Sequence, residues 1–269
     1  MNSLMTSLCV ETSVVNFVVA GEVRSGSAIV QSTIDSLPNA VCHANLFHAD
    51  ESIRRACHED YFGPSRDPKK LPEWFVFGET NPYQYVNHRV LDNPLNNERA
   101  VGLRITYDMI RRYELYDLFH ERWMEGDFCL IHVVRNPVAC FVSLKQAEKT
   151  GIWRRGLNDG PSSYLPMAVS VDPEELTTFV RNWISVHGKI EASCEDRLVI
   201  RYKELFLNFQ KTIRRVIDFL ELPDPLMPVA PTTKRLRNNC MRARISNFSR
   251  LRFEVPPDVR AFIDAKDLY

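Results

Sequence analysis

An α/β domain with a central parallel sheet flanked by helices is what this sequence predicts, on three observations. Short apolar runs rich in Val and Ile recur without strict alternation, as in strands covered on both faces. Amphipathic helical patterns separate those runs. A glycine-rich turn, "GEVRSGSA" at residues 21–28, directly follows the first run and precedes a helical stretch, which is the strand-turn-helix order of an anion-binding α/β unit.

The runs are Val14 to Ala20, Cys129 to Val134 ("CLIHVV") and Leu198 to Ile200 in "RLVIRY", with Val101 to Ile105 ("VGLRI") as a weaker fourth. A helix is expected from Asp172-Pro173-Glu174-Glu175, where an N-cap, a proline and two acids open it. That helix turns Leu176, Phe179, Val180, Trp183 and Ile190 inward. From Phe206, the positions Phe206, Phe209, Ile213, Val216, Ile217 and Leu220 form one apolar stripe that stops before Pro223, a second helix. A parallel sheet built this way binds ligands at the carboxyl ends of its strands.

At 269 residues the chain suffices for one large core, and one domain over residues 1–269 is expected. The segments 48–99 and 149–171, rich in Pro, Asn, Gly and aromatics, are too long for idle connectors and are read as acceptor and lid segments. With 34 basic and 34 acidic residues, net charge gives no support for nucleic-acid or acidic-membrane binding. The seven cysteines, at 9, 42, 57, 129, 140, 194 and 240, form no CxxC pair. They read as reduced thiols, with neither a disulfide framework nor a zinc site. No run approaches the roughly 18 apolar residues of a membrane span, and the N-terminal segment has no basic n-region. The expectation is a cytoplasmic protein.

The loop from Gly21 to Gly26 has the G-x-x-x-x-G frame of a nucleotide-binding loop, but Ser27 and Ala28 stand where a nucleotidase needs Lys and Ser or Thr. The usual magnesium-binding hydroxyl is thereby missing, and Arg24 supplies the cation. The strand "CLIHVV" ends in Arg135-Asn136-Pro137, whereas a magnesium-binding strand would end in Asp. An arginine at a parallel strand's carboxyl end is a fixed cation suited to bidentate phosphate contact. Ser143, eight residues on, adds a hydroxyl about two helical turns away. A tight strand-helix turn and a surface salt bridge are the plain alternatives for the loop and for Arg135. Together the two strand ends suggest a ligand with two separated phosphate groups and no required metal.

That description fits 3′-phosphoadenosine 5′-phosphosulfate (PAPS). "RSGSA" resembles the 5′-phosphosulfate loop of PAPS-dependent sulfotransferases, and "HVVRNPVACFVS" resembles their 3′-phosphate motif, with arginine and serine at the family's spacing. "VIRYKEL" is similar to the family's strand ending in an adenine-contacting tyrosine, here Tyr202. "TTKRLRNNCMRARISNFSRLR" is similar to its basic C-terminal segment, with "ISNF" as the closing element. The likeness is spread over residues 14–45, 100–147 and 172–252 and implies a P-loop-like sulfotransferase fold. It implies that Arg24 contacts the transferring sulfuryl group and the leaving phosphate, and that Ser25, Gly26, Ser27 and Ala28 offer backbone N–H groups to the 5′-phosphosulfate. Arg135 and Ser143, with Lys234 and Arg235 as weaker candidates, would bind the 3′-phosphate. Adenosine 3′,5′-bisphosphate would be the product. Ala28 departs from the family's Thr or Ser, which removes one hydroxyl contact.

The base is less evident. Many members of the family place a glutamate in a stretch resembling "HxELF"; here it is "HANLF", with Asn45 in the glutamate's place. Asparagine cannot be a general base. His43 and His48 flank it, with an unperturbed pKa of about 6.5. The cytosolic branch uses a histidine after the strand matching "VGLRITYD", where this chain offers Thr106, Tyr107 and Asp108. The order of preference is His48, His43, Asp108; His132, inside its strand, reads as structural. Phe47, Tyr61, Phe62, Trp74, Phe75 and Phe77 suggest a diffusible small-molecule acceptor, and family analogy suggests a natural product. A homodimer is compatible with the sequence. A non-catalytic adenosine bisphosphate-binding regulator and, behind it, a P-loop kinase are the rival readings.

Overall fold

The first apolar run becomes the middle of a sheet. In the computed structural model, which describes residues 14–48, 50–62, 81–86, 98–116, 128–153, 167–193, 197–225, 229 and 241–265, the order is β1 (Val15–Gly21), α1 (Ser27–Asp35), β2 (Ala40–His43), α2 (Glu51–Phe62), α3 (Pro82–Tyr85), β3 (Ala100–Thr106), α4 (Tyr107–Arg112), β4 (Cys129–Val134), α5 (Pro137–Thr150), α6 (Pro173–Ser193), β5 (Arg197–Arg201), α7 (Tyr202–Leu207), α8 (Phe209–Phe219), α9 (Met241–Arg244), α10 (Phe248–Glu254) and α11 (Pro257–Asp264). The strands lie in the order β2-β3-β1-β4-β5, all parallel.

Alternation along β1 explains its central place. Phe17 and Val19 point to a core with Val30 and Ile34 of α1 and Ile213, Val216 and Ile217 of α8. Val18 and Ala20 point to the opposite core, with Met109 and Ile110 of α4 and Val186 and Ile190 of α6. Both faces are covered, and the middle of β1, Phe17 to Ala20, is apolar throughout and fully buried. A third cluster joins Val138, Phe141 and Val142 of α5 to Leu176 and Val180 of α6 and to Leu251, Val259 and Ile263 of the C-terminal helices. Gly102 in β3 is required by space: a Cβ there would lie 2.4 Å from the Phe17 carbonyl oxygen.

Helix ends follow their caps. Asp172 Oδ1 accepts from the Glu174 and Glu175 N–H groups, both at 2.9 Å, and Asn136 Oδ1 from those of Val138 and Ala139 ahead of Pro137, satisfying orphan amides. Two elements differ from the sequence expectation. The stripe beginning at Phe206 is split, because Asn208 takes φ −139° and ψ 46° between α7 and α8; Asn favours such junctions over helix interiors. β2, only four residues long, is a strand the hydrophobic pattern does not reveal.

The register sets the function-bearing edge. Gly21 pairs with Thr106 and Val133, and Val134 with Arg201. The loop after β1, the start of α4, Arg135 and the start of α7 therefore emerge side by side.

Phe17→Ala should lower unfolding free energy by about 3–5 kcal/mol, since Phe17 is fully buried. Leu207→Ala, at an exposed position, should change it by no more than about 0.5 kcal/mol. Urea titration of both variants checks this; equal effects would contradict the core assignment.

Candidate active site

The turn after β1 is tight. Ser25 N–H donates to the Glu22 carbonyl at 3.0 Å, and Arg24 takes φ 68°, a left-handed conformation uncommon for a side-chain-bearing residue. Gly26 follows at φ 99° as the N-cap of α1, and a Cβ there would approach Tyr202 Cδ2 to 3.1 Å. Only glycine suits both constraints. Alternating backbone conformations of this kind, at a helix N-terminus, turn successive N–H groups toward one concavity. Ser27 N–H leans on Ser25 Oγ at 3.4 Å, and Ser25's own amide is engaged inside the turn.

Arg24 and Arg135 are brought together. Arg24 Nε–H donates to Ser143 Oγ of α5 at 3.2 Å, and its Nη1 to the Trp153 carbonyl at 2.5 Å. Arg135, buried at the end of β4, donates Nη1–H to the Arg24 carbonyl at 2.8 Å. Its guanidinium carbon lies 3.8 Å above the Tyr202 ring, a cation–π contact. Arg24, Arg135, Ser143 and Tyr202, from four separate elements, thus form one contiguous set beside Gly26. Arg135 Nε is buried and has no hydrogen-bond partner among the described residues. A buried guanidinium with a donor unused is costly alone and is suited to an anion.

The sequence-predicted bases are placed less favourably. His43 ends β2 and is buried; it pairs with Leu103, three residues short of Thr106, and β3 separates it from β1. Its backbone is therefore roughly 10 Å to the side and roughly 10 Å below the Gly21 level. His48 is half-buried, and its Nδ1 accepts from Asp50 N–H at 3.0 Å. Asp108, half exposed, has one oxygen on Arg111 at 3.0 Å and the other on Arg112 at 3.3 Å. Asn45 takes φ 57°, and its Oδ1 accepts from Arg104 Nη2.

A residue that sequence reasoning missed is Glu22. It is 6% exposed and sits two positions before Arg24, with Oε1 accepting from Val23 N–H at 2.7 Å. Burial pushes its carboxyl from 4.5 up to about 7, opposed by the Val23 amide and the Arg111 charge and assisted by Asp108. The signal was visible as an acidic residue inside "GEVRSGSA", a loop read from the sequence as anion-binding. Cys140, behind the same loop, is no nucleophile: burial pushes its thiol up to about 12.

The sequence matches a protein-family model, described as the sulfotransferase domain, over residues 16–260. The chain belongs to the sulfotransferase domain family. Solved structures similar to this sulfotransferase-family chain include a sulfotransferase from Alicyclobacillus acidocaldarius (16% identity, 93% of this chain and 95% of that one, TM-score 0.43). The sulfotransferase domain of the Synechococcus olefin synthase is another (11%, 94% and 87%, TM-score 0.45). A third is a mouse sulfotransferase complexed with PAP (15%, 94% and 73%, TM-score 0.39). No curated protein sequence matches. Family membership rests on the sequence match. The five-stranded parallel sheet and its flanking helices agree with the expected sulfotransferase fold.

Within this sulfotransferase domain the "ISNF" element has a visible structural use. Asn247 Nδ2 donates to the Val171 carbonyl at 2.8 Å and its Oδ1 accepts from Val171 N–H at 3.0 Å. Ile245 bridges to Val169, so the element pins the entry to α6. Lys234, Arg235, Trp74, Phe75 and Phe77 lie outside the described residues, as do the side chains of Tyr61 and Phe62. Phe47 is core rather than pocket lining, packed on Tyr85 and Tyr113 at centroid distances of 5.9 and 5.0 Å. Among the described residues no helix is long and apolar enough to cross a membrane.

Because the folded chain holds the Glu22 proton more tightly than the unfolded one, ionising Glu22 opposes folding. The penalty is absent below about pH 4.5, grows as pH rises, and is complete above about pH 7. Glu22→Gln should therefore match the wild type at pH 4 and exceed its stability by about 2–3 kcal/mol at pH 8, measured by urea unfolding across that range. A difference independent of pH would contradict the buried-carboxyl assignment.

Proposed function

We propose that this protein moves the sulfuryl group of PAPS to a hydroxyl or amine of a small-molecule acceptor, a natural product by family analogy, and releases adenosine 3′,5′-bisphosphate. The carrying observation is Arg135, buried, fixed on the Arg24 carbonyl and the Tyr202 ring, with Nε unused among the described residues. Membership of the sulfotransferase family and the gathering of Arg24, Ser143 and the α1 N-terminus around it support the reading.

In this reading Arg135 and Ser143 hold the 3′-phosphate, and Tyr202 meets the adenine. The N–H groups of Gly26, Ser27 and Ala28, with the Ser25 hydroxyl, cradle the 5′-phosphosulfate. Arg24 neutralises charge on the sulfuryl oxygens and on the leaving phosphate. The new bond joins the acceptor oxygen or nitrogen to sulfur, and the sulfur–oxygen bond to the 5′-phosphate breaks. Preorganised donors of this kind stabilise transferring-group charge without a metal.

The acceptor proton must go to a base. Glu22 takes precedence over His48, His43 and Asp108: it lies in the same turn as Arg24, and a group near 7 is half ionised at neutral pH, where a general base works best. His48 accepts at Nδ1, so its neutral ring carries the proton on Nε2 and must change tautomer first. The carboxylate oxygens of Asp108 are both occupied by guanidinium groups.

The test is turnover of PAPS with a panel of hydroxyl and amine acceptors. Glu22→Gln should lower turnover about a hundredfold or more with adenosine 3′,5′-bisphosphate affinity unchanged, and His48→Ala, like His43→Ala, should lower it less than tenfold. The reverse pattern moves the base to histidine. Absence of any PAPS turnover, with magnesium-dependent ATP consumption in its place, would return the protein to the kinases.

A further inference from the structure

Beneath the proposed transfer site, on the α6 side of the sheet, lies a cluster that sulfuryl transfer does not use. His132 of β4 is fully buried; His187 and Glu191 of α6, four residues apart on one helix face, are half-buried and 38% exposed. One ligand atom from each lies within 4.8 Å of the others. The His132 and His187 rings stand 5.1 Å apart at 38°, and His187 stacks on Trp183 at 4.3 Å.

The two rings share one hydroxyl partner. Tyr107 Oη lies 2.5 Å from His132 Nε2 and 3.3 Å from His187 Nδ1. Tyr107 can accept from both ring N–H groups, and in those tautomers lone pairs remain at His132 Nδ1 and His187 Nε2. His132 Nδ1 is 3.3 Å from Glu191 Oε1, yet among the described residues Nδ1 has no hydrogen-bond partner. That 3.3 Å separation is the edge of a tetrahedron whose centre lies about 2.0–2.1 Å from each vertex, the bond length of zinc to imidazole and carboxylate, and His187 lies within 4.8 Å of both to complete the set.

We propose that His132, His187 and Glu191 form a zinc site, with His132 Nδ1, His187 Nε2 and Glu191 Oε1 as ligands and water at the fourth position. Two neutral imidazoles and one carboxylate suit a borderline divalent ion. In this site Tyr107 would accept from both rings and hold their tautomers, as outer-shell partners of metal-bound histidines do. Arg197 grips Glu191 Oε2 and aims Oε1 inward. The ion ties α6 to β4, where His132 pairs with Ala20, the residue before Gly21. It takes no part in sulfuryl transfer, and the inference does not depend on that reading.

The test is cobalt(II) titration of the chelator-treated full chain, followed by displacement with zinc. One equivalent should bind with the visible bands of a tetrahedral nitrogen and oxygen site, and zinc should abolish them. Glu191→Gln and His187→Ala, both at partly exposed positions, should each lower affinity about a hundredfold or more, beyond the 10–100-fold of losing an outer-shell partner. One equivalent of zinc should raise the melting temperature of the wild type and of neither variant. Absence of stoichiometric binding, binding indifferent to both substitutions, or a thiolate charge-transfer band from the cysteines would each overturn the proposal.

Discussion

The Arg135 guanidinium, donating Nη1–H to the Arg24 carbonyl at 2.8 Å while lying 3.8 Å above the Tyr202 ring, is the contact around which the carboxyl edge of the sheet is organised. It joins the loop after β1 to the end of β4 and the start of α7. Parallel register makes it available: Gly21 lies opposite Val133, and Val134 opposite Arg201, so side chains one or two positions later meet without bending the sheet. A one-residue slip would send β4's buried side chains to the other face and remove Arg135 from the loop.

Placing that cation under the loop has an electrostatic consequence. Removing a guanidinium from water is expensive unless its donors are used. Arg135 satisfies part of its requirement with a carbonyl and an aromatic face and holds no ion pair among the described residues. Arg24, left-handed at φ 68°, is directed to Ser143 and the Trp153 carbonyl. Arg135, with Arg24 and the amides at the start of α1 beside it, is the feature on which the proposed anion site rests. Glu22, in the same turn, keeps a raised pKa because its burial outweighs the lowering effects of the Val23 amide and the Arg111 charge.

Much of this was legible in the sequence because it depends on local pattern. The two-faced apolar runs of β1 and β4 announce a buried parallel sheet, and Asp172 and Asn136 ahead of Pro173 and Pro137 announce helix starts. Arg24, Arg135, Ser143 and Tyr202 could be named from the sequence because each sits at a fixed offset from a strand or a turn, and the fold places them side by side. What escaped depends on long-range contact. β2 carries only four residues at the sheet edge, and Asn208 divides a continuous apolar stripe without altering its period. Glu22 looked like an ordinary loop acid until burial was known. His132 was readable as a strand residue, but its meeting with His187 and Glu191 across 55 or more positions of chain requires the fold.

The most direct measurement is calorimetric titration of the protein with adenosine 3′,5′-bisphosphate, with magnesium added and with magnesium omitted, for the wild type and for Arg135→Ala. The account predicts saturable one-to-one binding that is indifferent to magnesium and weakened about 10- to 150-fold by the substitution, the worth of hydrogen bonds to a charged group. Binding that requires magnesium, or that survives the loss of Arg135 unchanged, would contradict a two-phosphate site organised on this guanidinium.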